Sequence, residues 1–225
     1  PMEGSMAQVA SGGGWQTTFT LVNTGSTTAE ATLKFFGDTG AALQLPLAFL
    51  QSGNTAKAAV WTQKIAPGAS LIIQTQEFAG EPSIVGSAQL TTTGKISGFA
   101  VFRATYSGQE AVVPLTSDAS RAYVLAFDNT QSLATGLAVA SRSEAPAELQ
   151  LELHDESGEL IALTGVSLPA RGHKSFMLTD LFVSAANRRG TVTFSAIAGG
   201  PISALGLRAT KSGAVTTIPA FASPE

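Results

Sequence analysis

The chain has 225 residues, 44% of them hydrophobic and only 13% charged, so it holds enough apolar mass for a packed core and is not a disordered polymer. Thirteen basic against sixteen acidic residues give a net charge of −3 without a basic stripe, which excludes the clustered phosphate neutralisation that nucleic-acid binding needs. Cysteine is absent, so disulfide frameworks, thiolate metal sites and cysteine nucleophiles are excluded together, and no apolar run reaches the roughly 18 residues of a membrane-spanning helix.

Taken in chain order, Pro1-Met2-Glu3-Gly4-Ser5 reads as a cloning scar before Met6, with a signal peptide expected to have been removed. From Trp15 the chain alternates apolar and polar residues through Thr17, Phe19 and Leu21, the period of a half-buried strand. Asn23-Thr24-Gly25 marks a turn, and Ala29, Ala31, Leu33 and Phe35 resume the alternation up to a second turn at Gly37-Asp38-Thr39-Gly40. Ala66-Pro67-Gly68 is a third turn, and Gln76 to Ser83, holding Gly80 and Pro82, reads as a loop. After a short connection, Thr116 to Ser120, the same kinds of segment return. Met177 to Asn187 is the one helix-like stretch, long enough for a single turn.

The recurrence is specific. Phe102-Arg103-Ala104-Thr105-Tyr106-Ser107-Gly108 is answered 105 residues later by Leu207-Arg208-Ala209-Thr210-Lys211-Ser212-Gly213, with Pro114 and Pro219 following at equal distances. Earlier in each half the offset is 118: Trp15, Thr17, Phe19 and Leu21 lie opposite Leu133, Thr135, Leu137 and Val139, and Ala29 to Phe35 opposite Ala147 to Leu153. The difference of 13 residues places an insertion in the first copy, within about residues 47–63. These patterns predict an all-β chain of two tandem sandwiches related by internal duplication, 6–117 and 121–223, each of six or seven short strands.

Phe19-Thr20-Leu21-Val22-Asn23-Thr24-Gly25-Ser26, with the alternating Ala29-Ala31-Leu33 behind it, resembles the N-T-G strand-turn-strand signature of bacterial immunoglobulin-like adhesion modules. Gly12 to Trp15 and Phe127 to Thr130 are also similar to segments of tandem β repeats in secreted proteins of soil bacteria. The second copy departs, with Ser141-Arg142-Ser143 where the first has Asn23-Thr24-Gly25. The resemblance implies immunoglobulin-like sandwiches, an exported or surface-attached location, and a role in adhesion or scaffolding. It carries no catalytic set with it.

Candidate sites divide between chemistry and plain structure. Asp38-Thr39-Gly40, with Ile84-Val85-Gly86 downstream, has the outline of an aspartic-protease loop, whose chemistry needs two carboxylates sharing a proton. The aligned turn of the second copy is Asp155-Glu156-Ser157-Gly158, so a hairpin turn outweighs the hydrolase reading in both. His154 beside Asp155 and Glu156 reads as a solvated strand end rather than a metal site, because adjacent strand residues face opposite ways. His173, between Arg171 and Lys174, reads as an exposed loop. Trp15 is expected in the core, and Arg103 and Arg208 in structural salt bridges.

Trp61 falls in the extra segment of the first copy, where an aromatic can serve a carbohydrate face or cover the sandwich edge. Trp61, Tyr106 and Tyr123 are therefore the candidate ligand or partner contacts. The expectation is a non-enzymatic extracellular or cell-surface binding, adhesion or scaffold protein without metal or cofactor. Its partners would be a protein or glycan at the cell surface, or further copies through edge strands, with no nucleic acid and no membrane insertion. The alternatives are a carbohydrate-binding accessory module and, more remotely, an aspartic-type hydrolase at Asp38.

Overall fold

A computed structural model describes residues 2–223. The chain divides into two compact units, Pro1–Asp118 and Ala119–Glu225. Both are built from antiparallel strands, and among the described residues no helix is long and apolar enough to cross a membrane.

The first unit runs β1 (Met2–Ser11), β2 (Trp15–Asn23), β3 (Ala29–Gly37), β4 (Leu45–Phe49), β5 (Thr55–Ala58), β6 (Val60–Ile65), β7 (Ser70–Thr75), β8 (Ile84–Thr92), β9 (Ile96–Ala104) and β10 (Glu110–Pro114). One sheet has the order β1-β8-β3-β6 and the other β10-β9-β2-β7-β4-β5. Period-two patterning assigns the faces. On β2, Thr17, Phe19, Leu21 and Asn23 are buried, and on β3 so are Ala29, Ala31, Leu33 and Phe35. The sheets meet ring against ring, with Phe19 and Phe35 centred 5.3 Å apart, and Leu45, Leu47, Ile73 and Leu90 close the same core at no more than 1% exposure.

The second unit continues with β11 (Ala122–Asp128), β12 (Ala134–Ser141), β13 (Ala147–Asp155), β14 (Leu160–Leu168), β15 (His173–Met177), β16 (Arg189–Ala198), β17 (Ile202–Ala209), β18 (Val215–Ile218) and β19 (Ala220–Ala222). Its sheets are β14-β13-β16-β11-β19 and β15-β12-β17-β18. One apolar cluster joins them, drawing Leu125 and Phe127 from β11, Leu137 and Val139 from β12, Leu151 and Leu153 from β13, and Phe194 from β16. A single α-turn (α1, Leu178–Leu181) and a 3₁₀ turn at Val183–Ala185 add Leu178, Phe182 and Ala185 to it. The equivalent stretch of the first unit, 76–83, has no helix.

The strand orders correspond. Set aside β4 and β5 of the first unit and β19 of the second, and β1-β8-β3-β6 maps onto β11-β16-β13-β14 while β10-β9-β2-β7 maps onto β18-β17-β12-β15. The β4–β5 hairpin adds two further strands to one sheet edge of the first unit. In an immunoglobulin constant-type sandwich the first, second, fifth and fourth strands share a sheet. Here, counting within the second unit, the pairing of second with fifth and of third with sixth is kept. The first strand lies beside the sixth and the seventh beside the second.

Three expectations need correction. Among the described residues the units hold ten and nine strands rather than six or seven, because short edge strands such as β5, β18 and β19 carry too few residues to show a period. Residues Met2 to Ser5, set aside as a scar, belong to β1: Ser5 is fully buried and exchanges backbone hydrogen bonds with Thr116 at 2.8 Å. His173 is on β15 at 0% exposure, paired with Ala140, and is no exposed loop residue; charged Arg171 and Lys174 beside it disguised an inward-facing strand position.

Ser87, at 0% exposure on β8, has a hydroxyl without a hydrogen-bond partner. Ser87→Ala removes that unmet polar atom at nearly constant volume, so it is expected to raise stability by about 1 kcal/mol. Urea denaturation followed by tryptophan fluorescence checks this; a midpoint that falls contradicts it.

Candidate functional site

The β4–β5 hairpin and the strand that follows it build a cleft of about 730 Å³ in the first unit. Its lining comes from Phe49 on β4, the connecting Gln51 to Thr55, Trp61 and Gln63 on β6, and Leu71 on β7. Trp61 is half-buried, its ring 4.2 Å from that of Phe49 at 35°. The indole N–H donates to Gln63 Oε1 at 3.2 Å, which fixes the ring in the strand direction. Gln51 locks the hairpin down: its Nε2 donates to Ser70 O at 2.8 Å and its Oε1 accepts from Ile72 N at 2.9 Å. Ser52 Oγ accepts from Asn54 N at 3.3 Å, and Gly53 takes the left-handed backbone of the turn at φ 73°.

The result is a concavity with an aromatic wall, an amide- and hydroxyl-bearing rim (Ser52, Asn54, Thr55, Gln63) and no ionisable side chain among its lining residues. Such a lining can stack an apolar ring face and exchange hydrogen bonds in both directions, since amides and hydroxyls both donate and accept.

The three aromatic candidates are not brought together. Tyr106, 80% exposed, sits in the turn between β9 and β10, at the opposite edge of the sheet from the β4–β5 hairpin. Tyr123 is 3% exposed in the second unit, stacked on Phe194 at 5.9 Å and 18°, with its hydroxyl donating to Ile202 O at 3.4 Å. That corrects the view of Tyr123 as a ligand contact, because its ring faces are spent on the core. Only Trp61 stands in a cleft. Phe49, Asn54, Thr55 and Gln63 went unnoticed in the sequence; their signal was the polar run Gln51 to Thr55.

The remaining candidates resolve into structure. Asp38 is exposed on a turn closed by Gly37 N to Ala41 O and Gly40 N to Gly37 O, both 2.9 Å, with Gly40 at φ 78°. Ile84-Val85-Gly86 opens β8, and Gly86 pairs with Gly37 so closely that a Cβ there would stand 2.1 Å from Phe36 O. Asp155 caps its own turn, accepting from Ser157 Oγ at 2.6 Å and from the backbone of Ser157 and Glu159, and these bonds hold its carboxyl below the ordinary range. His154 lies 3.7 Å from Glu152 on the same strand face, and among the described residues no group of three metal-ligating side chains gathers. Arg103 meets Glu110 at 3.8 Å with both side chains half exposed, a surface pair worth little. Trp15 is half-buried, 5.7 Å from the ring of Phe102.

In the Phe127 to Thr130 segment, Asp128 is lowered to about 2, first by the Thr130 hydroxyl at 2.6 Å, then by the Thr130 N–H at 2.9 Å, with Arg189 adding its charge at 2.9 Å. It ties β11 to the start of β16. Next to it, Asn129 is buried, accepting from Thr135 N at 2.8 Å and donating to Ala185 O at 3.2 Å.

No model of a protein family matches the chain, and no curated protein matches it. Among solved structures, one described as an anti-sigma factor domain-containing protein aligns over 92% of this chain and 84% of its own, at 9% identity and a TM-score of 0.18. A likeness that low says nothing about fold or role.

Proposed function

We propose that the protein is a non-enzymatic binding module of the extracellular or cell-surface kind, and that its first unit takes a neutral carbohydrate in the cleft beside Trp61. The observation that carries this is the uncharged aromatic-and-amide lining of a cleft whose wall is the one hairpin the second unit lacks. Saccharides present apolar C–H faces and a fringe of hydroxyls, which an indole wall and a Ser, Asn, Thr and Gln rim complement. The two units derive from one duplicated immunoglobulin-like ancestor on this reading, supported by their matching strand orders and by the retained pairing of second with fifth and third with sixth strand. The first unit then gained its hairpin and, with it, a site. Low charge, 13% of residues, supports an exported location.

A glycan array followed by calorimetry tests the assignment. A saccharide ligand is expected whose affinity falls at least about tenfold, or 1.4 kcal/mol, in Trp61→Ala. Tyr106→Ala, at the far edge of the sheet, should leave affinity unchanged. A ligand retained equally by the Trp61 variant, or no saccharide bound at all, would sink the carbohydrate reading.

A further inference from the structure

Internal bonding leaves the rim of the Trp61 cleft unevenly polar. Gln63 Oε1 is taken by the indole N–H at 3.2 Å, so this side chain offers the cleft its Nε2 donors. Ser52 Oγ already accepts from Asn54 N at 3.3 Å, which leaves its O–H to donate. Gln51 is spent in both directions, on Ser70 O and Ile72 N. Among the described residues no hydrogen bond engages the side chains of Asn54 and Thr55, which add an amide and a hydroxyl. Free donors therefore outnumber free acceptors, and no carboxylate stands in the lining to redress the balance.

The apolar part is also narrowly defined. One face of Trp61 turns to Phe49, ring centroids 4.2 Å apart, so a single indole face remains for a ligand. Phe49 and Leu71, each 5% exposed, show the cleft only a small apolar floor.

Resting on the carbohydrate reading above, we propose that the cleft selects saccharides bearing an acetamido group, the N-acetylated amino sugars, over plain hexoses. Every hydroxyl of a hexose brings a hydrogen along with its oxygen. Against a donor-rich rim some of those hydrogens go unmet once water is excluded, at a cost to affinity. An acetamido carbonyl accepts without a hydrogen of its own, which suits Gln63 Nε2 and the Ser52 hydroxyl. Its N–H needs one acceptor, and Asn54 Oδ1 supplies it. Its methyl matches the Phe49 and Leu71 floor, while the sugar ring takes the open face of Trp61.

Calorimetry on the full chain, comparing N,N′-diacetylchitobiose with cellobiose, tests this; the two disaccharides are alike except for the acetamido groups. The acetylated sugar is expected to bind at least about tenfold tighter. Gln63→Glu keeps an oxygen to accept from the indole and exchanges the donors for a carboxylate, at an exposed position that leaves folding intact. It should weaken diacetylchitobiose at least about tenfold and cellobiose not at all, so that the preference disappears. Equal binding of the two sugars, tighter binding of cellobiose, no binding of diacetylchitobiose, or a preference unmoved by Gln63→Glu each overturns the inference. The carbohydrate reading itself survives any of these results as long as some neutral saccharide binds in a Trp61-dependent manner.

Discussion

Asn23→Ala is expected to cost roughly 3 kcal/mol, the loss of an unusually well-used side chain from a 0%-exposed position. Its Nδ2 donates to Ile65 O and to Thr27 O, each at 2.8 Å, and its Oδ1 accepts from Gly25 N at 2.9 Å. Its own backbone is engaged as well, N–H to Ala69 O and C=O from Gly68 N, both 3.0 Å. One residue thus fastens the end of β2 to the end of β6 and to the turn before β7. Alanine leaves the Ile65 carbonyl without this donor in a buried place, and the two part-buried groups must recruit water; buried unmet groups cost about 1–3 kcal/mol each. Thr24→Ala is the contrast. That side chain is exposed, with only a 3.2 Å bond to Lys95 O, so its loss should stay within about 0.5 kcal/mol. Chemical denaturation of both variants decides the matter: comparable costs would mean that the turn sequence, not the buried amide, holds this corner.

The same residue shows how far the sequence could be read. Asn23-Thr24-Gly25 was legible as a turn, but as local chemistry; the bonds to Ile65 and Ala69 span more than forty positions and leave no local trace. Alternation was legible wherever one strand face meets solvent, as on β2, β3 and β13. It failed on β1, which is buried from Gly4 to Ser11 and so shows no period-two contrast. His173 and Tyr123 were misplaced for a related reason: a polar or amphipathic side chain satisfied inside a sheet has the same letters as one in water. Which strand joins which sheet was not legible at all, because it depends on long-range pairing and not on any segment's composition. The cleft followed suit. Trp61 could be flagged, but Phe49 as its wall and Gln51 as the clasp required the fold.

Phe35→Ala should be the most damaging single change to the first unit, about 3–5 kcal/mol, against a total stability of about 5–15 kcal/mol for a typical domain. The ring is fully buried on β3 and its contact with Phe19 on β2 is where the two sheets meet. The second unit shows what the site tolerates. Its residues aligned with Phe19 and Phe35 are Leu137 and Leu153, at 2% and 0% exposure, and its aromatic volume has moved to Tyr123 and Phe194, paired across β11 and β16. A leucine therefore fits this position in a sandwich of the same strand order, and Phe35→Leu should cost less than about 1.5 kcal/mol. Both tryptophans, Trp15 and Trp61, lie in the first unit, so tryptophan fluorescence during denaturation reports on that unit directly. Burial at a closed sheet-to-sheet contact demands a wide gap between the two substitutions, since only alanine opens a cavity there. Equal midpoints for Phe35→Leu and Phe35→Ala would mean that the sheets do not close on this ring.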